Sequence, residues 1–88
     1  MAYELRIHRE AQKELLELPN EVHNRVYQQL LELQREPRPR QAVKLKGRED
    51  LWQLRVSKYR VIYHVNSPQQ VVTVLKVTLR NERTYRNL

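Results

Sequence analysis

The spacing of apolar residues changes character at Pro37-Arg38-Pro39, and that change limits the fold more than any other feature of the chain. Ahead of it, Tyr3, Leu5 and Ile7 alternate with Glu4, Arg6 and His8, the two-residue period of a half-buried strand. Ala11, Leu15 and Leu18 then recur at helical spacing until Pro19, which lacks an N–H and restricts the residue before it. Asn20 is expected to cap a second, longer helix carrying Val22, Val26, Leu30 and Leu33, with Glu21 in its first turn. Beyond the prolines the pattern is that of a sheet. Trp52, Leu54 and Val56 alternate with Gln53, Arg55 and Ser57; Tyr59 to Val65 is β-branched and aromatic; Asn66-Ser67-Pro68-Gln69 is a turn; Val71 to Leu79 is a further strand. The expected order is β-α-α-β-β-β, an α+β fold in which an antiparallel sheet carries a helix pair on one face, as a single domain over 1–88.

Such a chain buries only about 60–65% of its unfolded surface, so its stability is expected to be marginal and open to reinforcement by a partner. With no cysteine it forms neither disulfides nor thiolate metal sites. No run of eighteen apolar residues occurs and the first residues lack an apolar signal segment, so the expectation is a cytoplasmic protein without a membrane partner. Charge is unevenly placed. Residues 1–36 hold seven acids against five bases, and residues 37–88 hold twelve bases against Glu49, Asp50 and Glu82; the nets of −2 and +9 sum to the formal +7. So basic a second half attracts polyanions, nucleic acid above all, the plain alternative being a solvated basic face.

Several chemistries lack their residues. Gly47 is the only glycine, which excludes glycine-rich phosphate loops. His8, His23 and His64 lack metal-ligand spacing, and Ser57 and Ser67 have no base close in sequence. Arginine, lysine and tyrosine remain. Lys44, Lys46 and Arg48 surround Gly47; Arg55, Lys58 and Arg60 flank a short turn between two strands; Arg80, Arg83, Tyr85 and Arg86 follow the last strand. Guanidinium groups grip phosphate in bidentate fashion, and tyrosine stacks on bases. Function is the favoured reading for Arg60, expected to point at solvent, and for Tyr85. Arg48 and Arg86 read as surface charge, and Tyr59 and Tyr63 are alternatively core.

Leu18-Pro19, Pro37-Arg38-Pro39, Lys44-Leu45-Lys46-Gly47, the run from Leu51 through Tyr63 with its Tyr59-Arg60 pair, and the closing stretch from Leu79 through Arg86 resemble, in order, the RelE/ParE toxin pattern. The resemblance implies a RelE-like fold and a metal-independent, cofactor-free endoribonuclease that cleaves mRNA in the ribosomal A site. Attack of a ribose 2′-OH on the adjacent phosphate would leave a 2′,3′-cyclic phosphate. On this resemblance Arg60 holds the scissile phosphate, and Arg80 has a similar or leaving-group role that Arg83 could fill instead. Tyr85 stacks on the target base and aligns the 2′-OH. Lys44, Lys46 and Arg48 become positioning contacts to ribosomal RNA, with Lys58 and Arg83 as further RNA-binding groups. The implied partners are the ribosome, mRNA and an acidic, RelB-like antitoxin.

The chain departs from the family at Gln53 and Arg55, where RelE-like members commonly carry lysines. Arg55 stays protonated, so it can stabilise charge but is a poor base, and Gln53 cannot be one. Lys46, Lys58 or a ribosomal group remain as candidates. Two other readings compete: a ParE-type toxin that binds DNA gyrase, and an RNA-binding module without catalysis.

Overall fold

The computed structural model describes residues 2–45, 47 and 50–79. The elements are β1 (Glu4–Ile7), α1 (Arg9–Leu16), α2 (Asn20–Leu33), β2 (Val43–Lys44), β3 (Leu51–Val56), β4 (Tyr59–Asn66) and β5 (Val71–Leu79). The α+β class and the helix-helix-then-sheet order agree with the sequence pattern, with one short strand added. Two residues, Val43 and Lys44, pair antiparallel with Gln53 and Trp52, too few for any periodicity to register.

The five strands lie in the order β1-β5-β4-β3-β2. Strands β2 to β5 pair antiparallel, but β1 runs parallel to β5, with Leu5 beside Val72 and Ile7 beside Val74, so the sheet is mixed rather than antiparallel throughout. Alternation in the sequence reports which face a residue occupies and carries no information about the neighbouring strand or its direction. The outer edge of β1 is partly satisfied from within the chain. Tyr3 N–H donates to the Gln34 carbonyl (2.7 Å), the Gln34 side-chain amide donates to the Tyr3 carbonyl (3.2 Å), and Gln12 Nε2 donates to the Ile7 carbonyl (3.0 Å). Such bonds occupy backbone groups that would otherwise invite strand addition.

Both helices pack on one face. Ala11 and Leu15 of α1 and Val26, Leu30 and Leu33 of α2 meet Leu54, Val61, Tyr63, Val65, Val72 and Val74 in one apolar cluster. Truncating a fully buried leucine such as Leu30 to alanine costs about 2–5 kcal/mol in such a core. His8 starts α1, its Nδ1 accepting the Glu10 N–H at 3.3 Å. At α2 the expected cap is displaced: Pro19 occupies the cap position with extended backbone and Asn20 is already helical, so no side chain caps the helix. α1 ends at Leu16, and Leu18 packs half-buried against the core from the connection.

Candidate functional site

Alternation places Leu51, Gln53 and Arg55 of β3 and Arg60, Ile62 and His64 of β4 on the face opposite the helices. Register converts these into rows running across the sheet. One row is Arg55–Arg60–Thr78; the next is Val43–Gln53–Ile62–Lys76; a third includes Leu51–His64–Thr73–Arg6. The β3–β4 hairpin closes through Ser57-Lys58, and Ser57 takes φ 56°, in the glycine-favouring region.

Arg55 is exposed, whereas Arg60 is only 4% exposed. The expectation that Arg60 points at solvent is therefore corrected. Its strand position is right, but the side chain is buried among its neighbours on that face rather than projected into water. Its Nη1 donates to Gln53 Oε1 at 3.3 Å, and Gln53 is itself buried. A guanidinium held this way has lost its rotamer freedom before any ligand arrives, the condition for electrostatic preorganisation. Gln53, set aside in the sequence because it cannot be a base, thus positions Arg60. The two-residue alternation of 51–56 already put it on the same face as Arg55.

An irregularity in β5 decides what else shares this face. The pairing shifts between Ile62, opposite Lys76, and Tyr63, opposite Val74, leaving Leu75 as one extra residue. Strict alternation from Val72 and Val74 would turn Lys76 and Thr78 toward the helices. The bulge reverses the phase, so that Val77 enters the core while Lys76 and Thr78 join Arg60.

Of the remaining basic candidates, the two among the described residues lie apart from each other. Lys58 is exposed in the hairpin turn beside Arg55 and Arg60. Lys44 pairs with Trp52, which places it on the helix side of the sheet edge, away from the Arg60 row. Lys46, Arg48, Arg80, Arg83, Tyr85 and Arg86 lie outside the described residues. Among the described residues no group of three or more His, Asp or Glu side chains could hold a metal, and no helix is long and apolar enough to cross a membrane.

Tyr63 belongs to the core, in keeping with the alternative reading of that residue. Its hydroxyl donates to the Pro37 carbonyl at 2.8 Å, and burial pushes its pKa up to about 12, with Arg38 lowering it and Glu36 raising it. Arg38 lies over the Trp52 ring, 5.6 Å from its centroid, and donates through Nη2 to Ser67 Oγ at 2.8 Å. The proline-flanked segment that separates helices from sheet is thus pinned to one end of the sheet. Tyr59 is half-buried and lines a cavity of about 340 Å³ with Glu14, Glu17, Leu18, Val77, Thr78 and Leu79. Glu14 Oε1 in this cavity accepts the Val77 N–H at 2.7 Å. The Glu14 and Glu17 carboxylates on the wall of this cavity repel phosphate, whereas the Arg55–Arg60 face opposite the helices carries positive charge.

The family described as the ParE toxin of the type II toxin–antitoxin system parDE matches residues 5–84. A search of curated proteins gave no match. Among solved structures, the chain is similar to one in the archaeal RelE–RelB complex of Pyrococcus horikoshii OT3, at 36% identity and TM-score 0.84, covering 93% of this chain and 99% of that one. It is also similar to the isolated E. coli RelE toxin, at 29% identity and TM-score 0.81 over 99% and 100% of the two chains. A chain of the intact E. coli RelBE toxin–antitoxin complex gives 31% identity and TM-score 0.80 over 93% and 100%.

Proposed function

We propose, from the premise that this chain belongs to the ParE toxin family of type II toxin–antitoxin systems and has a RelE-like fold, that it cleaves mRNA on the ribosome. The observation carrying this reading is the Arg55–Arg60 pair across β3 and β4, with Arg60 held by Gln53. Two guanidinium groups on neighbouring strands suit a phosphodiester whose negative charge grows during reaction. The ribose 2′-oxygen bonds to phosphorus as the P–O5′ bond breaks, giving a 2′,3′-cyclic phosphate and a 5′-OH. The proton lost from the 2′-hydroxyl is balanced by the one gained at the 5′-oxygen. No water or redox partner is consumed, and guanidinium charge supplies the stabilisation that a metal would otherwise provide.

In this scheme Arg60 holds the scissile phosphate, Arg55 adds positive charge, and Arg80 or Arg83 stabilises the leaving group. Tyr85 stacks on the base and aligns the 2′-OH for in-line attack. Lys44, Lys46, Arg48 and Lys58 contact ribosomal RNA phosphates. The physiological inhibitor is an acidic RelB-like antitoxin, supported by the RelE–RelB complexes among the similar structures. Primer-extension mapping of mRNA ends after induction, with and without ribosomes, tests the proposal. New 5′ ends within translated codons, dependent on ribosomes, are expected. Intact mRNA together with DNA damage would instead support gyrase poisoning, and binding of RNA without cleavage would reduce the chain to a binding module.

A further inference from the structure

We propose that Lys76 is a catalytic residue of this surface, its ammonium group contacting a non-bridging oxygen of the phosphate that Arg60 holds. The inference rests on the RNA-cleaving reading above and adds a residue whose role only the bulge reveals. Among the described lysines, Lys13 is on α1, Lys44 shares the helix-side face with Trp52, and Lys58 is in the hairpin turn. Lys76 alone among them stands on the strand face with Arg60, and it is exposed.

The register sets its reach. Arg60 is opposite Thr78, and Lys76 is two residues before Thr78, so the pair is diagonal across β4 and β5. Diagonal neighbours in an antiparallel pair stand roughly 7–8 Å apart, within the span of a lysine side chain and a shared phosphate. Ile62, directly opposite Lys76 and half-buried, gives the aliphatic stem an apolar surface to lie on, leaving the ammonium free to turn toward Arg60. Gln53 completes that row from the other side by holding the guanidinium. Phosphate would then meet a fixed guanidinium and an adjustable point charge, the division of labour that suits these two side chains. The bulge makes this possible, since without Leu75 as the extra residue Lys76 would face the core.

The test is single-turnover cleavage of ribosome-bound mRNA at saturating toxin, comparing wild type with Lys76→Ala and Lys76→Arg. Loss of one charge-assisted contact to the reacting phosphate predicts a saturated rate lower by about tenfold to a hundredfold in Lys76→Ala. Lys76→Arg, which keeps the charge, should retain most of the rate. A wild-type rate in Lys76→Ala, or a loss confined to affinity with the saturated rate intact, overturns the assignment. An inactive Lys76→Arg overturns the charge role as well. Absence of cleavage by wild type on ribosomes sinks the underlying functional reading instead, so the two failures are distinguishable.

Discussion

Arg55 and Arg60 stand directly opposite each other across the β3–β4 pair, two like charges in a position where sheets ordinarily place partners. Directly opposed like charges destabilise a strand pair, and a sequence chosen for folding alone would separate them. Arg55→Thr is therefore expected to stabilise the domain by about 0.2–1 kcal/mol while lowering mRNA cleavage. Urea unfolding and cleavage assays on the same preparation check this. A variant both less stable and fully active would remove the functional reason for the pair.

Arg60→Ala should lose roughly 10²–10³ in cleavage rate, the scale of removing one preorganised oxyanion donor. Because Arg60 is buried, truncation should also cost about 1–3 kcal/mol of stability by leaving Gln53 Oε1 without this donor. The rate must accordingly be measured below the new unfolding midpoint. A fully active variant would refute the role.

Gln53→Leu keeps approximate volume but deprives the Arg60 guanidinium of an acceptor. The expected result is a fall in saturated rate with ribosome affinity nearly unchanged, since a positioning group acts on geometry rather than on docking. Gln53→Glu should restore the hydrogen bond and part of the rate. If Gln53→Leu changes only affinity, the glutamine belongs to the binding surface.

Tyr63 gives a pH signature. Its folded pKa of about 12 lies above the ordinary 10, so the folded state keeps a proton that the unfolded state has released. Stability from this group is complete below pH 10 and is lost as pH rises from about 10 to 12, by up to roughly 2–3 kcal/mol. Tyr63→Phe should cost about 1 kcal/mol at neutral pH through the lost bond to Pro37, and it should flatten this alkaline decline. Comparing urea midpoints of the two proteins at pH 8 and pH 11 separates Tyr63 from the titrating lysines. Parallel declines would contradict the assignment.

Ser57 occupies a positive φ of 56° at the first of two turn residues. Ser57→Gly removes the cost of holding a side chain there and is expected to raise stability by about 0.5–1 kcal/mol, visible as a higher thermal midpoint. A lower midpoint would mean that the serine side chain contributes more than its backbone conformation costs.

The sequence by itself determined the two helices, the four longer strands and the faces of all but the second half of β5. The helical stripe of Val26, Leu30 and Leu33 and the alternation of Trp52, Leu54 and Val56 are local properties, because the periods of helix and strand are local. It also placed Arg55 and Arg60 on one hairpin, whose short turn fixes their register. Tertiary structure decided the rest. The parallel docking of β1 on β5 joins residues some sixty-seven positions apart, as from Glu4 to Val71, and no local period encodes such a choice. The extra residue at Leu75 is equally hidden, since the apolar sequence of β5 permits either phase and only pairing with β4 selects one. Burial of Arg60 follows from the same non-local assembly. Exposure belongs to the packed surface rather than to the strand, and the sheet lays this guanidinium against Gln53 instead of projecting it into water.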